Sequence, residues 1–200
     1  MTIITNYGQL KTAIAGKVNR TDLTTFMPGF VQRSEEEFNR IMRQLNNLYY
    51  DPAFSFTAEY TTAPADMQEI VSIEFDGKKP LSVIAPGYMS KLAGATGDPV
   101  GFMMIDDKIR LRPAPSSPMT GTLIYYRGVE TITGDDNDTN WLLDAHSAVY
   151  LYRGCMEASL HMKNATDVQS FGSAYQAAMA SVLKAGRKRR QSSDMRVRLG

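Results

Sequence analysis

Residues 139–160 read TNWLLDAHSAVYLYRGCMEASL. Asn140 offers a side-chain oxygen immediately before an apolar run, the arrangement that caps a helix N-terminus. Leu142, Ala145, Val149, Tyr152, Met156 and Leu160 then recur every three or four residues. That spacing predicts a helix of about 20 residues with one apolar face. Such a face needs covering, so the rest of the chain must supply partners for it.

Working outward from this helix, Thr166 followed by Gln169 is a capping-box signal. Phe171, Tyr175, Ala178 and Val182 continue it as a helix that either enters the basic segment beyond or frays at Gly186. On the other side, Gly134 and the acidic run Asp135-Asp136-Asn137-Asp138 form a solvated loop that ends at the cap. Two more helices lie near the start of the chain. Asn6 with Gln9 is a capping-box pair, and Leu10, Ile14 and Val18 follow at helical spacing. Thr25 or Phe26 opens a longer helix that tolerates Pro28 only in its first turn. Its stripe is Phe30, Ser34, Phe38, Ile41, Leu45 and Leu48, with Glu35, Glu36, Asn39, Arg40 and Arg43 largely off it, and Asp51-Pro52 ends it.

The middle of the chain changes period. Residues 54–62 alternate aromatic or small side chains with polar ones. Residues 70–75, 81–84, 102–105, 108–111 and 122–126 read as further short strands, and residues 88–92 as one or two helical turns. Asp106-Asp107 sits where a tight hairpin turn belongs. No crossover helix of sufficient length separates these strands, which excludes βαβ units and predicts antiparallel pairing. The fold class expected is α+β. An antiparallel bundle of about four helices comes from residues 1–52 and 139–185, an antiparallel β domain (53–138) is inserted between helices two and three, and a basic tail follows at 186–200.

Hydrophobic residues make up 43% of the 200 and charged residues 22%, enough for a packed core and too few charges for wholesale disorder. Formal net charge is +1, so the whole chain exerts no general pull on nucleic acid or membrane. Lys184, Arg187, Lys188, Arg189, Arg190, Arg196 and Arg198 face only Asp194 in the last stretch, a local charge of +6 that leaves about −5 for the rest. This asymmetry gives the C-terminus its own candidate partner, an acidic protein surface or phosphates. One cysteine precludes an internal disulfide and fits synthesis in a reducing cytoplasm. No apolar run approaches the ~20 residues of a membrane span, and the N-terminus lacks a signal-peptide pattern.

No residue set assembles a catalytic or metal site on paper. His146 and His161 are the only histidines, 15 residues apart and without further spaced ligands. Cys155 reads as a buried apolar thiol with no base beside it. Asp135, Asp136 and Asp138 lack the glycine and the terminal glutamate of a calcium loop. Residues 94–101 are glycine-rich but carry no Lys-Ser/Thr of a phosphate loop. We therefore expect no enzyme activity, no cofactor and no metal. Tyr49, Tyr50, Phe54, Phe56 and Tyr60 cluster at the helix-to-strand junction and are expected to include subunit-interface residues.

Several short stretches, in order, resemble the head–tail adaptor (connector or tail-accessory) proteins of tailed bacteriophages. Met27-Pro28-Gly29-Phe30-Val31, then Glu35, Asn39-Arg40 and Arg43, is similar to that family's second helix. Ala63-Pro64-Ala65-Asp66-Met67 is similar to its Pro-Ala-Asp turn. Gly97-Asp98-Pro99, residues 109–115 and Tyr125-Tyr126 resemble its β strands. Thr139-Asn140-Trp141-Leu142-Leu143, Tyr150-Leu151-Tyr152 and Glu157-Ala158 resemble its third helix most strongly. These matches span about residues 1–183. The resemblance implies a virion protein made in the host cytoplasm that forms a ring of about twelve copies. The ring docks on the portal, carries the next tail or nozzle protein, and passes DNA without reading its sequence. The basic tail would reach the portal or face DNA. Two other readings compete: a different tail-completion or virion assembly factor, and a nucleic-acid-binding module acting through the tail.

Overall fold

The computed structural model describes residues 3–44, 47–89 and 94–197. In chain order they form α1 (Tyr7–Val18), α2 (Met27–Gln44), β1 (Leu48–Phe56), β2 (Tyr60–Thr62), β3 (Met67–Glu74), β4 (Ser82–Val83), α3 (Pro86–Met89), β5 (Gly101–Ile105), β6 (Lys108–Arg112), β7 (Met119–Arg127), α4 (Trp141–His161) and α5 (Ala165–Val197). A single 3-10 turn, Thr24–Phe26, leads into α2. The fold is α+β. It divides into a helical unit, Met1–Leu45 with Val129–Gly200, and a β unit, Asn46–Gly128.

In the helical unit α4 is the shared neighbour: α1, α2 and α5 all pack on it. Leu10 and Ile14 of α1, Phe30 and Phe38 of α2, Leu143, Val149, Tyr150 and Cys155 of α4, and Tyr175 and Val182 of α5 meet in one core. Asn6 caps α1 by accepting from the Gln9 amide at 2.9 Å. The Gln9 side chain accepts from Thr5, one residue outside the expected box. Asn19 ends the helix at φ 52°, the left-handed conformation that asparagine tolerates best after glycine. Asn140 caps α4 through the Leu143 amide, as its position predicts.

The sequence reading needs several corrections here. The helix predicted to reach Asp51 is described only to Gln44. Leu45 lies outside the described residues, and Leu48 is on β1. The unit boundary accordingly falls at Leu45/Asn46, and the return at Gly128/Val129, earlier than the expected 52/53 and 138/139. Pro52 is accommodated because the β1–β7 register breaks between Asp51 and Phe54 on an edge strand, where no ladder amide is required of it. The alternation at 54–62 is two strands, with β1 and β2 in different sheets. Asn164, through the Asp167 amide at 3.3 Å, caps α5 in place of Thr166. The stripe read along α4 is rotated from the true one. Backbone geometry is non-helical at His146, which resets the phase, so Ala145 and Leu160 face solvent while Leu143, Tyr150 and Ala158 are buried.

The β unit holds a three-stranded sheet, order β1-β7-β3, and a four-stranded one, order β2-β6-β5-β4. All ladders are antiparallel except β4–β5, which runs parallel through Ser82↔Gly101 and Val83↔Phe102, against the fully antiparallel expectation. The long glycine- and proline-punctuated connection from 84 to 100 gives the chain room to return in the same direction. Asp106-Asp107 makes the predicted two-residue turn between β5 and β6, with Asp106 at φ 52°. Side chains from both sheets, Phe56, Ile73, Phe75, Phe102, Ile109, Leu111, Leu123 and Tyr125, fill a second core.

Phe56 is fully buried, 4.9 Å from the Phe54 ring and 5.3 Å from the Phe75 ring in edge-on contacts. Phe56→Ala should cost about 3–5 kcal/mol. The measurement is a urea unfolding curve of the full chain followed by a β-unit probe. An unchanged midpoint would contradict this packing.

Candidate functional site

β1 presents the expected aromatic residues unequally, because successive residues on a strand point to opposite faces. Tyr49 pairs with Tyr125 and shares its face of the sheet while staying 39% exposed, its ring 5.4 Å from that of Tyr125 and 4.7 Å from the Arg127 guanidinium. Leu48 and Tyr50 take the other face, 55% and 59% exposed, opposite Tyr126 and Ile124 of β7. Tyr60 is also exposed, but on the second sheet, with Arg110 over its ring at 5.0 Å. Phe54 is half-buried against the β core. Phe56 is a correction to the expected interface set, since it lies wholly inside. The surface that remains is Leu48, Tyr49 and Tyr50 on one edge strand, with Tyr60 apart from them.

The basic C-terminal residues lie on helix. α5 runs on through Val197, 33 residues against the 21 of α4, so the segment does not fray at Gly186. Lys184 is exposed. Arg187, Lys188, Arg189, Arg190 and Arg196 occupy positions on this helical backbone, and Arg198 lies outside the described residues. Four consecutive basic positions at ~100° per residue go right round a helix axis and do not form a stripe.

The residues carrying the family resemblance are mostly structural. Phe30 and Leu142 are buried, Trp141 and Tyr152 half-buried, and Pro28 is exposed in the first turn of α2. The Asn39 amide group clasps Val129, accepting from its N–H at 2.6 Å and donating to its carbonyl at 3.2 Å. Arg40 is exposed, 3.5 Å from Glu37.

Buried charge is what the sequence reading missed. Glu35, read as largely off the α2 stripe, is 3% exposed. Its Oε1 accepts from the Tyr150 hydroxyl at 3.0 Å and the Ile132 amide at 3.1 Å. Tyr150 in turn accepts from Asn140 Nδ2 at 2.7 Å. Burial pushes the Glu35 carboxyl up to about 7. A second group joins α2 to α4: Glu157 takes Arg33 and Arg153 at 2.7 Å each. In the β unit, Asp66 accepts from Tyr125 at 2.9 Å and from Arg127. A signal for Glu35 existed. Met27, Val31, Glu35, Phe38 and Met42 keep helical spacing, and that apolar register runs through it.

The residues weighed for chemistry have ordinary surroundings. Cys155 is buried, and desolvation raises its thiol to about 12. His161 packs 4.4 Å from the Phe26 ring. Asp138 accepts from the amides of Thr133, Gly134 and Asp135, which closes its loop. Among the described residues no group of three or more His, Cys, Asp or Glu could hold a metal ion. No described helix is long and apolar enough to cross a membrane.

Removing Glu157 takes the ion-pair partner from half-exposed Arg33 and leaves mostly buried Arg153 only the longer pair with Glu37 at 3.9 Å. Glu157→Ala should destabilise the helical unit by about 3 kcal/mol, and Glu157→Gln, which keeps an acceptor, by less. Thermal melts of the two variants against the parent protein provide the check.

No curated protein matches the chain. Residues 5–198, nearly the whole sequence, match the family described as SU10 adaptor protein. An α+β chain with a long terminal helix and an edge strand bearing outward Leu48 and Tyr50 thus belongs to the SU10 adaptor protein family of phages.

Proposed function

We propose that this chain is a structural, non-catalytic head-to-tail adaptor of a tailed phage virion. It acts as one subunit of a ring of about twelve copies that docks on the portal, joins it to the tail and lets DNA pass. In this reading the four long helices form the adaptor's antiparallel bundle and the β unit is its inserted domain. The observation that carries the proposal is the family match across residues 5–198. Two features support it. Leu48 and Tyr50 leave an apolar and an aromatic side chain in solvent on a sheet-edge strand, the kind of contact that interfaces enrich. The run of basic residues between 184 and 198 supplies a second, chemically different feature of the sequence. Closed head-to-tail rings require two unlike patches per subunit.

The partners proposed are further copies of the chain, the portal, the next tail or nozzle protein, and DNA held without sequence preference. No cofactor enters this role. The virion is its place of action.

Electron microscopy of negatively stained protein, alone and mixed with purified portal, tests the reading. Rings with a central hole, or decorated portals, are expected. Tyr49→Ala/Tyr50→Ala should reduce ring formation at least tenfold while leaving the circular dichroism unchanged. Single particles that ignore portal would favour a different assembly factor. Steep salt-dependent DNA binding that disappears on removal of residues 184–200, without rings, would favour the nucleic-acid module.

A further inference from the structure

After β7 the chain re-enters the helical unit through residues 129–140, a segment without regular structure. It is fastened repeatedly, each time within that unit. Asn39 clasps both backbone groups of Val129. Glu35 takes the Ile132 amide. The carbonyls of Asp136 and Asp138 receive the Gly8 and Tyr7 amides of α1 at 2.9 and 2.8 Å. Asn140 ties back to the Glu130 carbonyl at 2.8 Å. These hydrogen bonds join neutral groups except at Glu35, an acid, and an ion pair of Lys11 with Asp136 accompanies them.

Burial of Glu35 favours its protonated form by more than the Ile132 and Tyr150 donors favour the ionised one. Oε1 has two donors, whereas Oε2 is buried without a hydrogen-bond partner. A carboxylate left with half its acceptor capacity dry carries a heavy desolvation cost, which a neutral carboxylic acid largely avoids. The groups facing it supply no compensating cation. From α1 comes Tyr7, whose buried hydroxyl is also unpartnered and whose titration is raised by burial first, then by Asp136 and Glu35. From α4 comes Tyr150 with the Asn140 amide behind it. From the segment itself comes the Ile132 amide alone. On α2, Arg33 is turned to Glu157. Three acids of the segment are engaged elsewhere, Asp135 with the Asn137 amide, Asp136 with Lys11 and Asp138 with residues 133–135.

We propose that Glu35 is a pH-operated latch on this re-entry segment: protonated it holds residues 129–140 against α2 and α4, and ionised it lets the segment lift. The sign follows from linkage. The folded carboxyl, at about 7, lies above its ordinary 4.5, so the closed state binds the proton more tightly than the open one. Closure is strongest below about 4.5, weakens as pH rises from there to about 7, and levels off above. Ionised Glu35 must find water, and lifting the segment supplies it. Functionally, the latch decides how much chain is tied down where the polypeptide returns from the β unit.

Hydrogen exchange of the full chain at about pH 5, 6, 7 and 8, corrected for intrinsic rates, reads the latch directly. Protection of the Val129 and Ile132 amides should fall by more than tenfold, and at most about a hundredfold, across that range. β-unit amides such as Leu123 should hold steady as the internal control. In Glu35→Gln, which cannot ionise, the fall should vanish. An equal fall in Glu35→Gln, or none in the parent protein, overturns the proposal. If Glu35→Gln does not fold, the carboxyl carbon of Glu35 is titrated by NMR in the parent protein. A midpoint near 7 supports the latch, and one near 4.5 overturns it.

Discussion

The structure depends on covering α4. Its buried residues lie too far round the helix for one neighbour to shield, and α1, α2 and α5 each take a share. The neighbours come from both ends of the chain, separated in sequence by the entire β unit. The helical core therefore closes only through long-range contacts, and loop-closure entropy opposes them until the apolar surfaces meet. Once they do, aromatic contacts such as Phe38 with Tyr150, 4.9 Å apart and edge-on, fix α2 against α4.

Polar contacts then decide the alignment of elements that apolar burial leaves approximate. Glu157 bridges Arg33 and Arg153 and sets α2 beside α4. Asn39 and Glu35 place the re-entry segment. In the β unit Asp66 joins the turn before β3 to Tyr125 and Arg127 of β7. Such groups add little net stability, yet removing one partner is costly because the other stays buried and unmatched. An adaptor, on the reading proposed here, must present fixed surfaces to several neighbours, and fastenings of this kind suit that requirement.

Much of this was legible in residue order. The stripes Leu10–Ile14–Val18 and Phe171–Tyr175–Ala178–Val182 follow one face of a regular helix, and the structure packs them as read. The cap at Asn140 and the turn at Asp106-Asp107 are local chemistry, so local reading found them. The failures share a cause outside the local window. Leu48 continues the α2 period but is taken by pairing with Tyr126 of β7, nearly eighty residues on. The irregular backbone at His146 shifted the α4 phase in a way no periodicity count detects. Glu35 reads as largely off the α2 stripe, and its partners Ile132 and Tyr150 lie about a hundred residues away. Of the interface set, Tyr49, Tyr50 and Tyr60 keep exposed surface whereas Phe56 does not. The face a strand residue takes depends on register, which sequence alone leaves open.

The central claim is that both ends of the chain close one cooperative core around α4, separate from the β core. Native-state hydrogen exchange in increasing denaturant measures this most directly, because it reports an opening free energy for each segment. The account predicts that core amides of α1, α2, α4 and the first half of α5 converge on one opening free energy, with β7 amides following their own. An α1 or α5 that opened far below α4, in a step independent of it, would contradict the claim.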